Sequence, residues 1–241
     1  MRIFLAGASG AIGRRLLPLL VNAGHEVTGT TRSPDRANLI AAAGATPAIV
    51  DVFDADALTR AVRTARPQVV IHQLTDLPQK ADPAKIAASL AGNARIRIEG
   101  TANLVAAAKG AGATRLIAQS IAFMYAPGRE PHAETDALMS GEPPEAVSAR
   151  GVHAIEGAVT GTPGIDGIVL RYGRLYGPGT WTEVAKGPAP LHVDAAAQAA
   201  LLALTRGPPG IYNIAEDDGA VSIAKARAQL GFDPGFRMPA S

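Results

Sequence analysis

Three glycines stand at a spacing suited to holding a diphosphate. Gly7, Gly10 and Gly13 form G-x-x-G-x-x-G between the apolar run RIFLA and the amphipathic run AIGRRLLPLL. Glycine there permits a tight turn, close approach of main chain to a pyrophosphate, and close packing of helix on strand. The helix that follows offers unpaired N–H groups and the positive end of its dipole. Gly7, Ala8, Ser9, Gly10, Ala11, Ile12 and Gly13 are therefore the candidate cradle of a dinucleotide. An unliganded βα turn is the plain alternative; the place of the motif, directly after a strand pattern at the start of the chain, weighs against it.

An NAD site carries an acidic residue roughly 20 residues further on, at the end of the second strand, for the ribose 2′-hydroxyl. Here that strand ends Thr30-Thr31-Arg32-Ser33, and Glu26 lies at its other end. Arg32, with Ser33 and Arg36 nearby, suits a 2′-phosphate and the adenine face. NADP is the expected cofactor and NAD the alternative, while a solvated strand end is the plain reading of Arg32.

Further along, Tyr125 is the best-placed phenol for acid/base work and Ser120 can orient a carbonyl or hydroxyl. A ring packed over a loop and a buried serine bonded to backbone are the bland readings of the same residues. His132 and Glu134 read as solvated loop residues, and His72 as a satisfied core histidine. His192 and Asp194 read as orienting the start of a helix, with Asp194 near its cap. The histidines and carboxylates are too dispersed for a metal site, and the absence of cysteine excludes thiolate chemistry.

These residues need a scaffold, and the hydrophobic pattern supplies one. Strands are predicted at Arg2–Ala6, Glu26–Thr31, Thr46–Asp51, Gln68–Gln73, Arg115–Gln119, Gly167–Arg171 and Ile211–Ile214. Helical patterns fall near Ala11–Ala23, Asp35–Ala43, Ala55–Thr64, Ala84–Lys109, Pro144–Val159 and Asp194–Leu204. Continuously apolar strands such as VVIH and GIVLR imply burial on both faces, so the alternation reads as a doubly wound parallel α/β sheet, Rossmann-like. Two Gly/Pro-rich stretches, Ala126–Pro144 and Gly177–Pro190, follow strand ends, where such a sheet keeps its ligand crevice.

At 241 residues, 47% hydrophobic and 18% charged, the chain suits one compact unit, with residues 1–165 as the binding domain and 166–241 as the last strands and a small portion covering the substrate. Its net charge of +2, with Arg scattered and aromatics not interleaved, points away from nucleic acid. No apolar run reaches the roughly 20 residues of a membrane span, and no signal pattern precedes the first strand, so a cytoplasmic protein with a small-molecule substrate is expected.

The chain resembles the extended short-chain dehydrogenase/reductase group, the NAD-dependent epimerase/dehydratase family. The residues that carry the likeness are GASGAIG, VVIHQLT, EGTANLVAAAKGAGATRLIAQS, LRYGRLYGPG, HVDAAAQAALLAL and KARAQLGFDP, in the family's order. The resemblance implies that Asp51 and Val52 contact adenine, that Gln73 and Leu74 follow the strand beside the cofactor, and that Tyr172 lines the nicotinamide. It also implies a homodimer pairing the helices that hold Ile86, Leu90, Ile98, Val147, Val152 and Ile155, some of which core packing explains as well. Two departures stand out. Only Thr180–Leu191 is available as a substrate lobe, and the family's Tyr-x-x-x-Lys is missing: matching the family's downstream Glu to Glu156 puts Ser148 in the Tyr slot and Val152 in the Lys slot, a one-residue slip puts Ala149 and His153 there, and neither alignment restores the pair. The resemblance implies an oxidoreductase or isomerase on a small hydroxyl- or carbonyl-bearing substrate. A non-catalytic NADP(H)-binding redox sensor is the alternative.

Overall fold

The computed structural model describes residues 1–78, 80, 82–140 and 145–239. Along them run β1 (Arg2–Ala6), α1 (Ala11–Asn22), β2 (Glu26–Thr31), α2 (Pro34–Ala42), β3 (Thr46–Ile49), α3 (Ala55–Ala65), β4 (Val69–His72) and α4 (Pro83–Arg95). A π-helical turn, Ile96–Gly100, leads into α5 (Thr101–Gly110), followed by β5 (Arg115–Ile121), α6 (Glu145–Thr160) and β6 (Asp166–Tyr172). Two short strands, β7 (Arg174–Tyr176) and β8 (Pro190–His192), precede α7 (Val193–Leu202), β9 (Gly210–Ile214) and α8 (Ala224–Leu230).

The main sheet is parallel throughout, in the order β3-β2-β1-β4-β5-β6-β9. The order reverses between β1 and β4, which is where a doubly wound sheet opens its ligand crevice. Side chains alternate across a strand, and here both faces are buried. Ile3 and Leu5 point into one core with Leu16 and Leu20 of α1 and the alanines of α7, while Phe4 and Ala6 point into the other with Leu104 and Ile155. That two-sided burial is why the strands read as unbroken apolar runs.

The expected Rossmann-like doubly wound sheet is the observed one, with small differences at boundaries. The predicted Ala84–Lys109 helix is two helices joined by the π turn, and at its end a Cβ on Gly100 would meet Val52 at 3.0 Å. β3 stops at Ile49, before Asp51, and the start predicted for α6 at Pro144 lies outside the described residues. β7, β8 and α8 were not expected: two three-residue strands and a seven-residue helix are too short to show a period.

Candidate functional site

The glycine turn closes on itself and on β2. Gly7 has φ +89°, and a Cβ there would meet the Gln73 carbonyl oxygen at 2.7 Å. A Cβ on Gly13 would collide with the Gly7 carbonyl, so helix α1 packs on the turn only with glycine there. A Cβ on Gly10, by contrast, would touch only the Gly7 oxygen, at 3.3 Å. The turn is anchored by two threonines not singled out in the sequence: Gly7 N–H donates to Thr30 Oγ1 at 3.1 Å, and Ser9 Oγ donates to Thr31 Oγ1 at 3.2 Å. Ala8, fully buried, donates its N–H to the Thr30 carbonyl. β-branched residues that favour the strand thus also supply the hydroxyls that fix the turn.

Gly10 caps α1 without any side-chain hydrogen bond, and the first turn holds no acidic residue. The N–H groups of Ala11, Ile12 and Gly13 have no acceptor among the described residues. The start of α1 therefore offers oriented donors and a dipole end with no competing carboxylate in its first turn.

Arg32 sits at the end of β2 with Ser33, whose N–H donates to Thr31 Oγ1. Its guanidinium lies 3.6 Å from the Asp76 carboxylate, and both side chains are largely exposed, so the pair is weak and the guanidinium can turn to a stronger anion. Asp51 is exposed and accepts from the Phe53 N–H, while Val52 is buried and its carbonyl accepts from Asn103 Nδ2.

At the reversal point, β4 delivers His72, Gln73 and Leu74. His72 is fully buried; its Nδ1 accepts the Leu74 N–H, and its Nε2 is 3.1 Å from Thr101 Oγ1. Burial, then the charge of Arg97, pushes its pKa down to about 4, so it is a neutral structural residue at neutral pH, as its position suggests. Gln73 Nε2 donates to the Tyr172 hydroxyl at 3.1 Å, while Gln73 Oε1 is buried with no partner. Burial raises the Tyr172 pKa. The Leu74 carbonyl accepts from Gln119 Nε2 at 2.6 Å. Among the described residues only Gln73 Oε1 and Gln198 Oε1 are buried side-chain polar atoms without a partner, and Gln73 stands at the reversal point, where a polar ligand group would satisfy it. The residues present therefore fit a dinucleotide: free amides at α1, a guanidinium at β2, and an unsatisfied amide oxygen at β4.

Ser120 and Tyr125 come together, but inside a buried polar network. Ser120 Oγ donates to Glu156 Oε1 at 2.7 Å, and Arg171 donates to both Glu156 oxygens at 2.8 and 2.7 Å. Arg171 Nη1 also donates to the Tyr125 hydroxyl at 2.8 Å, and that hydroxyl donates to Asn213 Oδ1 at 2.6 Å. Burial raises the Tyr125 pKa against the pull of Arg171. Desolvation works against the Arg171 charge, yet the Glu156 carboxylate holds that guanidinium more firmly protonated than usual. Glu156, Arg171 and Asn213 carry this network and were not proposed as a unit from the sequence, since 15 to 88 residues separate the partners.

Two expectations need correction. His132 is not a solvated loop residue: it stacks on the Tyr125 ring with centroids 4.9 Å apart and lies 3.1 Å from Asp136. Glu134 is tied down by the Asn213 N–H at 2.9 Å. His192 and Asp194 do open α7 as expected: His192 is its cap, and its Nδ1 accepts the Asp194 N–H. Asp194 itself is buried and joins α7 to α1 through Arg15 at 2.5 Å. On α6, Val152 and Ala149 are buried, Ser148 is half-buried and His153 is exposed, so neither alignment of the family pattern brings a tyrosine and a lysine together there. Trp181 donates its indole N–H to the Pro78 carbonyl at 2.8 Å, linking the β7–β8 segment to the loop after β4. The described residues hold no cluster of metal-ligating side chains, and no described helix is long and apolar enough to cross a membrane.

Comparison with known proteins agrees with this geometry. Residues 3–188 match the model of the NAD dependent epimerase/dehydratase family. A 3-diazoavenalumate denitrifying reductase of Streptomyces is 37% identical over 267 residues, taking in all of this chain and 85% of the relative. Among solved structures, the UDP-glucose 4-epimerase of Thermotoga maritima superposes with a TM-score of 0.79 at 19% identity, covering 98% of this chain and 94% of that one. The UDP-glucuronic acid 4-epimerase of Bacillus cereus, solved with NAD, gives 0.76 at 18% identity, covering 98% and 92%. Those two likenesses are of fold. With the glycine turn, the reversal point and the match over most of its length in agreement, this chain belongs to the NAD dependent epimerase/dehydratase family.

Proposed function

We propose that the chain is an NADP(H)-dependent reductase of a small, strongly electrophilic substrate, an aromatic diazo compound being the class that fits best. The observation that carries this reading is α6, which presents Ser148 and buried Val152 where the family's acid/base pair stands. The Tyr172 hydroxyl accepts from Gln73 Nε2, and the two hydroxyls offered for catalysis are engaged, Ser120 with Glu156 and Tyr125 with Asn213 and Arg171. We assign these two to holding the network in place rather than to moving a proton.

The free amides of Ala11, Ile12 and Gly13 receive the pyrophosphate, Arg32 and Ser33 the 2′-phosphate, and Gln73 a polar group of the cofactor at the reversal point. Asp51 and Val52 flank the adenine end, and Leu74 and Tyr172 the nicotinamide end. Bound there, the reduced nicotinamide supplies hydride. Sugar epimerisation and carbonyl reduction need a group that takes or gives a proton, typically worth 10²–10⁴-fold. Reduction of an arenediazonium does not. The ring carbon gains hydrogen with its electron pair, the C–N bond breaks, and its pair leaves on dinitrogen, so charge and atoms balance without a side-chain acid. The diazo compound and loss of nitrogen in the Streptomyces relative's name support the same class.

A homodimer working in the cytoplasm belongs to the same reading. Ile98 is 47% exposed on the π turn, and Ile86, Leu90 and Val147 are half-buried on α4 and α6, whereas Val152 and Ile155 are spent in the core. The test is anaerobic oxidation of NADPH by diazotised 3-amino-4-hydroxybenzoate, with 4-hydroxybenzoate as product. No NADPH consumption above the rate without protein would reject the reading. The fully engaged hydroxyls favour a second reading, a dinucleotide sensor, and that result together with tight NADPH binding would leave it standing.

A further inference from the structure

The π turn between α4 and α5 presents a guanidinium that nothing described pairs with. Arg97 makes no hydrogen bond or ion pair among the described residues, although it is only partly open to solvent. Arg95, the last residue of α4, is by contrast paired: it holds Glu99 of the π turn at 2.7 Å on the outside. The side chain of Arg97 instead runs under α6, where a Cβ on Gly151 would meet its Cδ at 3.2 Å and its Cβ at 3.4 Å. Gly151 directly precedes Val152, the position where the family pattern would have a lysine. Single π turns recur at functional sites because the extra residue re-aims a side chain.

The described carboxylate whose charge Arg97 feels is already taken. Both oxygens of Glu156 are taken, Oε1 by Ser120 and Arg171 Nε, Oε2 by Arg171 Nη2. Glu156 is felt by Arg97 only through space, and burial lowers the Arg97 pKa against it. His72, which feels the Arg97 charge, is neutral and offers no counter-charge. A guanidinium partly withdrawn from water without a protein partner is less well compensated than one in solvent, and a counter-charge beside it would stabilise it. We infer that Arg97 is the receptor for a carboxylate on the substrate, reaching under α6 beside the vacated lysine position to hold the acid group by its two-pronged face. A planar fork matches a carboxylate where a lysine would offer a point charge. This rests on the reductase reading for the word substrate, and it narrows the class to small aromatic acids.

The test needs binding only, so it does not depend on turnover. Calorimetric titration of the NADP⁺-loaded protein uses two probes, 4-hydroxycinnamate and its methyl ester. The expected result is saturable binding of the acid at least tenfold tighter than of the ester. Arg97→Gln is expected to abolish that difference while leaving NADP⁺ affinity within twofold. Arg97→Lys should recover part of it. A second measurement guards against a structural role: the ligand-free Arg97→Met protein should melt at or above the wild-type temperature, since an uncompensated charge is removed. Equal binding of acid and ester, no binding of the acid, or a variant that unfolds or melts lower would each overturn the proposal.

Discussion

Glu156 on α6 grips Arg171 on β6 with both carboxylate oxygens, at 2.8 and 2.7 Å, and the pair is almost wholly buried. The helix is thereby locked over the ends of β5 and β6, and Ser120, Tyr125 and Asn213 close the network around it. Removing one partner leaves a buried charge uncompensated. Glu156→Ala should therefore cost about 3–5 kcal/mol of stability, read as a shift in urea unfolding. A loss below about 1 kcal/mol would mean that water reaches the network and compensates the charge.

His72 gives a pH signature. Its folded pKa is depressed to about 4 from an ordinary 6.5, chiefly by burial. Above pH 6.5 both folded and unfolded chains carry it neutral, and its contribution is complete. As pH falls from 6.5 toward 4, the unfolded chain takes up a proton that the folded chain refuses, and about 3 kcal/mol of stability drains away. His72→Asn should flatten that part of the stability–pH curve. An unchanged slope would assign acid sensitivity to other groups.

Arg32 should decide cofactor choice. A guanidinium–phosphate pair contributes about 1.5–3 kcal/mol, so Arg32→Ala should weaken NADPH roughly tenfold or more and leave NADH unchanged in a fluorescence titration. Equal loss for both cofactors, or no preference in the wild type, would return the site to NAD.

Gly10 separates folding from binding at the turn. Its Cβ direction meets only the Gly7 oxygen, at 3.3 Å, whereas Gly7 and Gly13 are hemmed in by backbone. Gly10→Ala should hold the melting temperature within a few degrees and reduce dinucleotide affinity at least tenfold, while Gly13→Ala should impair folding itself. Retained affinity in Gly10→Ala would place the phosphates elsewhere.

How much of this was legible in the sequence follows from range along the chain. The turn at Gly7–Gly13 and the strands beside it are local, and their two-sided burial writes itself as unbroken apolar runs such as VVIH. The roles of Thr30 and Thr31 were within reach, because hydroxyls at the end of β2 face the turn whenever β1 and β2 pair in parallel. The Glu156–Arg171–Tyr125 network was not legible, since its members lie on three elements and meet only when the sheet forms. The π turn was hidden because Ala84–Lys109 keeps a helical apolar pattern across it, and Arg97 looks there like any exposed helix arginine.

The account stands on reduction without a side-chain acid, and isotope transfer tests that most directly. NADPH carrying deuterium at the transferring C4 position, incubated anaerobically with diazotised 3-amino-4-hydroxybenzoate, should yield 4-hydroxybenzoate with deuterium at the carbon that bore nitrogen, one equivalent per NADPH oxidised. Tyr125→Phe should retain the label transfer within a few-fold. Product without deuterium, or transfer abolished by Tyr125→Phe in a folded protein, would contradict it.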